Sequence, residues 1–430
     1  MEIKRDIYLN KLLNRKHNGL VKVITGIRRC GKSYLLNTIF YNHLIENGVD
    51  EKHIIRFAFD SADDLYLIGE NLIQMEKEKR GTDPEKFMTY IRSKIIDNGM
   101  YYLLLDEVQM LDCFESVLNS YLRKENIDVY VTGSNAKFLS KDIITEFAGR
   151  GDEIHMYPLN FSEFMSVYKG DKYEGLSEYM LYGGIPLVVL RKDKNDKILC
   201  LETFFSEIYV RDIYKRNKVR NQGELEDLLN ILSSSIGSLT NPEKLKNTFR
   251  TVKKSKITSN TVKKYLDYLE DSFLIESAQR YDIRGKAYIE TPKKYYFSDL
   301  GLRNARIAFR QFEQTHTMEN VIYNELRMRG YSVDVGVVTI AENKDGKVVR
   351  KHLEVDFICN LGSVRYYIQS AYSIPNEEKL SQEIRPFRKI DDSFKKIVIT
   401  RDIIPKHYNE YGILTLNIYD FLLEPSSIES

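Results

Sequence analysis

The segment Gly26-Ile-Arg-Arg-Cys-Gly31-Lys32-Ser33 lies between an apolar, strand-like run at 20–25 and a helix-like run at 34–40. That order leaves the chain few folds. Glycine lets the backbone curl until successive N–H groups face one centre, the following helix turns its positive end there, and Lys32 adds a mobile cation. Such a cradle suits the phosphates of a nucleoside triphosphate, with Gly26, Ile27, Arg28, Arg29, Cys30, Gly31, Lys32, Ser33 and Tyr34 as its contacts.

A second element supports this reading. Tyr101-Tyr-Leu-Leu-Leu-Asp106-Glu107 reads as a short buried strand ending in two carboxylates. Asp106, helped by the Ser33 hydroxyl, is placed to hold Mg²⁺, and Glu107 to orient or deprotonate the attacking water. A solvated strand end is the plainer account of the same two acids.

Two more β-type runs accompany these motifs, one between them at 54–60 and one after them at 128–132. A strand inserted between the Lys-bearing and Asp-bearing strands, together with Glu107, suits the P-loop branch that hydrolyses through an additional strand and a catalytic Glu. The run at 128–132 leads into Gly133-Ser134-Asn135, where Ser134 or Asn135 is expected to contact the γ-phosphate or lytic water; simple turn chemistry also explains these residues. A helix at 141–147 then precedes Ala148-Gly-Arg150-Gly151 and a strand at 153–157. From that turn Arg150 can reach the γ-phosphate of a neighbouring subunit, which implies a homo-oligomer; capping of the preceding helix is the alternative. The expected catalytic set is Lys32, Glu107, Ser134, Asn135 and Arg150.

Bulk properties bound the rest. At 430 residues the chain is long enough for about two to four domains. A formal charge of +2 with 29% charged residues names no partner by itself. The amino-terminal stretch lacks an apolar core of signal length and no run is apolar enough to cross a bilayer, so a cytoplasmic protein without membrane contact is expected. Cys30, Cys113, Cys200 and Cys359 lack CxxC spacing, which argues against a disulfide frame or zinc site. Cys30 lies inside the phosphate loop, where its modification would block nucleotide entry; a tolerated small residue is the plainer account.

The series GIRRCGKS, YYLLLDEVQ, VTGSNAKFLS, FAGRG, YPLNFSEF and YGGIP, in this order, resembles the AAA-type ATP-binding proteins of bacteria and archaea that carry an uncharacterised C-terminal domain. The resemblance spans nearly the whole chain. It implies that Gly26, Gly31, Lys32 and Ser33 bind ATP, that Asp106 and Glu107 are the magnesium and water-activating pair, and that Arg150 acts near the γ-phosphate.

From 160 to 222 the pattern is helical, broken at Gly183-Gly184-Ile185-Pro186, and reads as a lid hinged at glycines. Arg191 or Arg211 could bring a second cation from it. Residues 228–299 read as a winged helix, with helices at 228–235, 242–252 and 259–271 and a hairpin at 273–297. Lys244, Lys246, Arg250, Lys253, Lys254, Lys256, Lys263 and Lys264 oppose Glu243 alone between 243 and 264. That excess suits a phosphate backbone, so double-stranded DNA is the expected partner, contacted by Ser259, Asn260, Thr261, Lys263 and Lys264. Protein docking or a merely solvated face would use the same charges.

The tail begins with an amphipathic helix at 318–327, followed by strands at 331–338, 352–359 and 365–371. A helix Glu, a strand Asp and a strand Glu-x-Lys are how restriction-type nucleases hold Mg²⁺, and the segment resembles that PD-(D/E)XK fold through Glu325 (or Glu319) and Asp356. Gln369-Ser370-Ala371 departs from Glu-x-Lys, weakening the metal ligand and removing the cation. A nuclease fold without robust cleavage is therefore expected.

The sequence thus predicts an α/β chain: a P-loop NTPase three-layer sandwich at 1–159, a helical lid at 160–222, a winged helix-turn-helix at 223–311 and a restriction-endonuclease-like α/β domain at 312–430. The expected function is that of an ATP- and Mg²⁺-dependent switch or motor that engages DNA. Its rivals are a metal-dependent nuclease under ATPase control and a protein-recognising signalling ATPase.

Overall fold

The computed structural model describes residues 3–78, 80–133, 149–252, 254–310, 313–344 and 347–429. The chain forms two compact units, Met1–Pro158 with Asp271–Phe273, and Leu159–Glu270 with Leu274–Ser430.

The first unit is built on five parallel strands, β1 (Val21–Thr25), β2 (Ile54–Ala58), β3 (Tyr101–Asp106), β4 (Ile127–Thr132) and β5 (Gly151–His155), in the order β2-β3-β4-β1-β5. Strands β1, β3 and β4 are buried at every residue, which is why they read as unbroken apolar runs rather than alternating ones. The strand inserted between the Lys-bearing β1 and the Asp-bearing β3 is β4, while β2 goes to the edge. A charged pair is buried near the amino ends of β1 and β4. Lys22 is fully buried and its ammonium meets Asp128, whose other oxygen accepts from Tyr130 Oη at 2.7 Å and His17 N at 3.0 Å. The carboxylate is thus saturated with donors, the condition under which a buried ion pair is tolerated.

The second unit opens with helices Phe161–Met165, Lys172–Tyr182 and Pro186–Val189, then a helical run through Lys194–Thr203, Phe204–Val210 and Arg211–Asn217. An Asn160–Glu163 capping box starts the first of them. Helices Gln222–Ser234, Pro242–Val252 and Ser259–Asp271 follow, and buried Val262, Tyr265, Leu266 and Leu269 form the inner stripe of the last.

Eight strands complete this unit: β6 (Ile275–Asp282), β7 (Ala287–Phe297), β8 (Ser332–Lys344), β9 (Lys347–Leu361), β10 (Val364–Ala371), β11 (Lys395–Thr400), β12 (His407–Tyr408) and β13 (Leu414–Asn417). They lie in the order β12-β13-β11-β10-β9-β8-β6-β7. The hairpin expected to stand out as a wing is instead the outer pair of this sheet. Strand β6 pairs in parallel with β8, Arg280 opposite Val335, so the hairpin and the carboxyl-terminal strands share one layer.

The glycines read as a hinge have a packing role. Gly184 N donates to Asp299 Oδ2 at 2.7 Å, and a Cβ on Gly184 would lie 2.1 Å from the Leu159 carbonyl oxygen. A Cβ on Gly183 would meet the Asp299 carboxylate at 2.2 Å. Asp299 also accepts from Leu302 N at 3.0 Å and heads the helix Leu300–Arg306, so one carboxylate fastens two chain turns. Burial pushes its pKa up to about 6, with the backbone donors opposing.

A group whose native pKa lies above its unfolded value of about 3.9 favours folding fully below that value, and the contribution disappears as pH rises through 6. We expect the stability of the native chain relative to Asp299→Asn to fall by about 2–3 kcal/mol between pH 4 and pH 7 in urea denaturation. A difference constant across that range would show that Asp299 does not titrate there.

Candidate functional site

Parallel pairing carries the carboxyl ends of the first sheet to one edge. Ile24 is opposite Thr132, Leu105 opposite Val131, and Ala58 opposite Asp106. Gly26, Gly133 and Glu107 each follow the last residue of a strand, and Asp60 lies two residues beyond β2. An open parallel sheet receives its ligands at such an edge.

The loop has the predicted backbone. Gly26 has φ +135°, and a Cβ there would lie 2.1 Å from the Met156 carbonyl oxygen. Arg29 (φ +64°) and Gly31 (φ +105°) turn the chain into a helical run from Lys32 through Lys32–Tyr34, Leu35–Phe40 and Tyr41–Glu46. Lys32 is buried, its Nζ donating to Gly26 O at 2.9 Å and Ile27 O at 3.0 Å, so the ammonium is held by the loop's first half. Arg29, Ser33 and Tyr34 are exposed and Arg28 half-buried, whereas Ile27 and Cys30 are buried. Cys30 is thus packed inward, which is the small-residue account of it.

Asp106, also buried, accepts from the Thr132 hydroxyl and from Asn37 Nδ2 at 3.4 Å, while Thr132 Oγ1 accepts from Glu107 N at 3.1 Å. Burial raises the Asp106 pKa; hydrogen bonds from Thr132 and Ser33 oppose the rise. Glu107 sits in the left-handed region at φ +53° and accepts a hydrogen bond from Gln109 Nε2. Asp60 joins them: desolvation and then the charges of Glu107 and Asp106 raise its pKa, and Arg28 opposes. The sequence reading gave Asp60 no role although it ends the β-type run at 54–60.

Asp106 and Ser33 offer the hard oxygen donors that Mg²⁺ takes, and Mg²⁺ bound beside phosphates needs only one or two protein ligands. Among the described residues no group of three or more His, Cys, Asp or Glu side chains is arranged to hold a metal by itself. Ser134 and Asn135 lie outside the described residues. Arg150 is exposed, with Nη1 3.5 Å from Asn119 Oδ1, and its carbonyl accepts from Val21 N. Val21 begins β1 whereas the loop follows Thr25, so Arg150 is roughly 16 Å of strand from the phosphate edge of its own chain.

In the second unit Asn260, Lys263 and Lys264 are exposed at the start of Ser259–Asp271, with Ser259 and Thr261 half-buried. Thr258 Oγ1 accepts from Thr261 N at 3.2 Å. Lys244 and Arg250 are exposed on Pro242–Val252, and Lys246 pairs with Glu243.

The nuclease-like residues group differently from the first choice. Glu325 pairs with Arg329 at 2.8 Å, one helical turn along Gln314–Met328. The helix acid facing Asp356 is the alternative, Glu319. Between them stands Lys294 of β7, nearly fully buried, with Nζ 2.8 Å from Glu319, 2.8 Å from Glu354 and 3.7 Å from Asp356. Tyr296 Oη donates to Glu319 at 2.7 Å. Asp356 Oδ2 accepts from Ser370 N at 2.9 Å, and Gln369 Oε1 lies 3.4 Å from Asp356 N. Burial and then the Glu319 charge push the Asp356 pKa up. Burial would lower the Lys294 pKa, but the three carboxylates raise it further. A cation is therefore present although Ala371 supplies none; the sequence reading missed it because β7 had been assigned to a separate wing.

Residues 18–165 match the profile of a family described as AAA domain, and residues 173–313 match a domain of unknown function (DUF8612). An uncharacterized protein of Haemophilus influenzae is 34% identical over 98% of this chain and 99% of its own length. One of Methanocaldococcus jannaschii is 27% identical over 97% and 88%. Among solved structures, the Aeropyrum pernix ORC1 protein in complex with DNA is 12% identical over 72% of this chain and 93% of its own, at a TM-score of 0.29. CDC6P from Pyrobaculum aerophilum is 12% identical over 75% and 96%, at 0.30. Both scores are too low to assign fold or ligand. Among the described residues no helix is long and apolar enough to cross a membrane.

The close approach of Met156 makes Gly26 irreplaceable on steric grounds. Gly26→Ala should destabilise the first unit by about 1–3 kcal/mol, read as a lower urea midpoint. An unchanged midpoint would mean that the loop relaxes freely around the methyl group.

Proposed function

The chain belongs to the family of the Haemophilus influenzae protein and carries an AAA domain at residues 18–165, and we propose that it is an ATP-hydrolysing switch that engages DNA. The observation that carries this is the convergence of the Gly26 loop, Lys32, Asp106 and Glu107 on one sheet edge, with β4 inserted between the two motif strands. ATP is the substrate. The loop amides and Lys32 neutralise its phosphates, and Mg²⁺, held by Asp106 and Ser33, would balance the charge of the β and γ groups. Glu107, oriented by Gln109 and by its own left-handed backbone, holds the attacking water and takes its proton. Ser134 or Asn135 senses the γ-phosphate. Arg150, at the opposite end of the sheet from its own loop, serves a neighbouring copy, so the working form is a homo-oligomer. Loss of the γ-phosphate releases both contacts, and that release is the switch. The exposed Asn260, Lys263 and Lys264, with Lys244 and Arg250, contact the DNA backbone.

Lys32→Ala should abolish nucleotide binding, and Glu107→Gln should keep ATP but stop turnover, measured by phosphate release. Hydrolysis at the native rate in Glu107→Gln would remove Glu107 from its role. For DNA, a gel-shift titration at two salt concentrations should show binding that weakens steeply with salt and is reduced in a Lys263→Ala, Lys264→Ala double variant. No shift even at low salt would point to the protein-recognising alternative.

The Lys294 cluster favours a second reading, metal-dependent cleavage of nucleic acid. Lys294 supplies the charge that Ala371 lacks, and Glu319, Glu354 and Asp356, which hold its ammonium, would have to turn oxygens from it to a metal. Nicking of plasmid DNA that requires Mn²⁺ or Mg²⁺ and disappears in Asp356→Ala is its expected result. Intact plasmid with both metals would leave the cluster a structural one.

A further inference from the structure

One buried arginine outside the nucleotide motifs is bonded to the phosphate loop. Arg5 precedes the helix Asp6–Asn14 and is 2% exposed. Its Nη1 donates to Cys30 O at 3.1 Å and its Nη2 to Tyr157 O at 2.6 Å. The guanidinium carbon lies 4.7 Å from the centre of the Tyr8 ring, and Tyr8 Oη accepts from Tyr157 N at 3.0 Å. One forked cation therefore ties the second half of the loop to the chain leaving β5. The first half is held by the same segment, since the Met156 carbonyl fills the space beside Gly26 and Met156 N donates to Thr25 O at 2.8 Å.

We propose that Arg5 is a positioning residue for nucleotide binding, which sets the direction of the Gly31 amide by holding the Cys30 carbonyl. This rests on reading the loop as the triphosphate site. The peptide unit is planar and trans, so the Cys30 C=O and the Gly31 N–H point to opposite sides. Fixing the oxygen toward Arg5 turns the N–H away from Arg5, at the start of the helical run where a phosphate is received. Without the guanidinium, Gly31 at φ +105° has the freedom of any glycine, and the amide would sample directions that do not face the ligand. Burying a guanidinium is costly unless its donors are used in a fixed geometry, and two backbone carbonyls from different segments provide one. A lysine in the same place keeps the charge but cannot span both oxygens as a rigid fork.

The test is equilibrium titration of the full-length chain with a fluorescent, non-hydrolysable ATP analogue and Mg²⁺, reading Kd and the number of sites separately. Arg5→Ala should weaken binding by about tenfold or more at an unchanged number of sites, with Arg5→Lys in between. A purely structural role would lower the number of binding-competent sites and leave Kd alone, and that result overturns the proposal. So does native Kd in Arg5→Ala. If Arg5→Ala does not fold, Arg5→Lys and Tyr8→Phe decide, and native Kd in both overturns it. Failure of the native chain to bind, or binding by Lys32→Ala as tight as native, would sink the nucleotide reading itself and is recognisable as such.

Discussion

The nucleotide edge depends on one strand pairing. Because β4 is hydrogen-bonded between β1 and β3, its last residue, Thr132, lies beside both motifs, giving its hydroxyl proton to Asp106 and accepting from the Glu107 amide. A single side chain thus fixes both the Asp106 carboxylate and the backbone turn that presents Glu107. The buried Lys22–Asp128 pair works from the other end of the same strands, where a shifted register would leave two charges uncompensated in a dry sheet. The pairing is held at one end by charge and used at the other.

The second unit shows the same economy with carboxylates. Asp299 joins the Gly183–Gly184 turn to the start of Leu300–Arg306, and the two glycines are required because atoms occupy the places where their Cβ atoms would go. Lys294 draws three carboxylates from a helix and a strand toward β7. In each case a charge is buried with its partners rather than alone, so these sites fix which segments pack together.

Much of the first unit was legible because its strands are short apolar runs and its loop is written in glycines. Asp106 and Glu107 could be placed from chain order alone, since a parallel strand must end at the edge where its neighbours end. What could not be read is what pairs with what. Glu319 and Glu325 share the helix Gln314–Met328 six residues apart, roughly 240° around it, so only the position of the sheet chooses between them. Lys294 was invisible because nothing local says that the β6–β7 hairpin joins β8. Arg5 gives no signal either, because its partners are backbone carbonyls, which every residue has. The Gly183–Gly184 pair read as a hinge because flexibility and close packing call for the same residue.

The location of Arg150 sets a limit on any lone molecule. Its backbone is anchored where β1 begins, whereas the phosphate loop starts where β1 ends, and a fully buried strand separates them. No rotamer change closes that gap. Any chemistry that needs both is second order in protein: diluting the sample would extinguish it, and mixing two differently disabled copies would restore it.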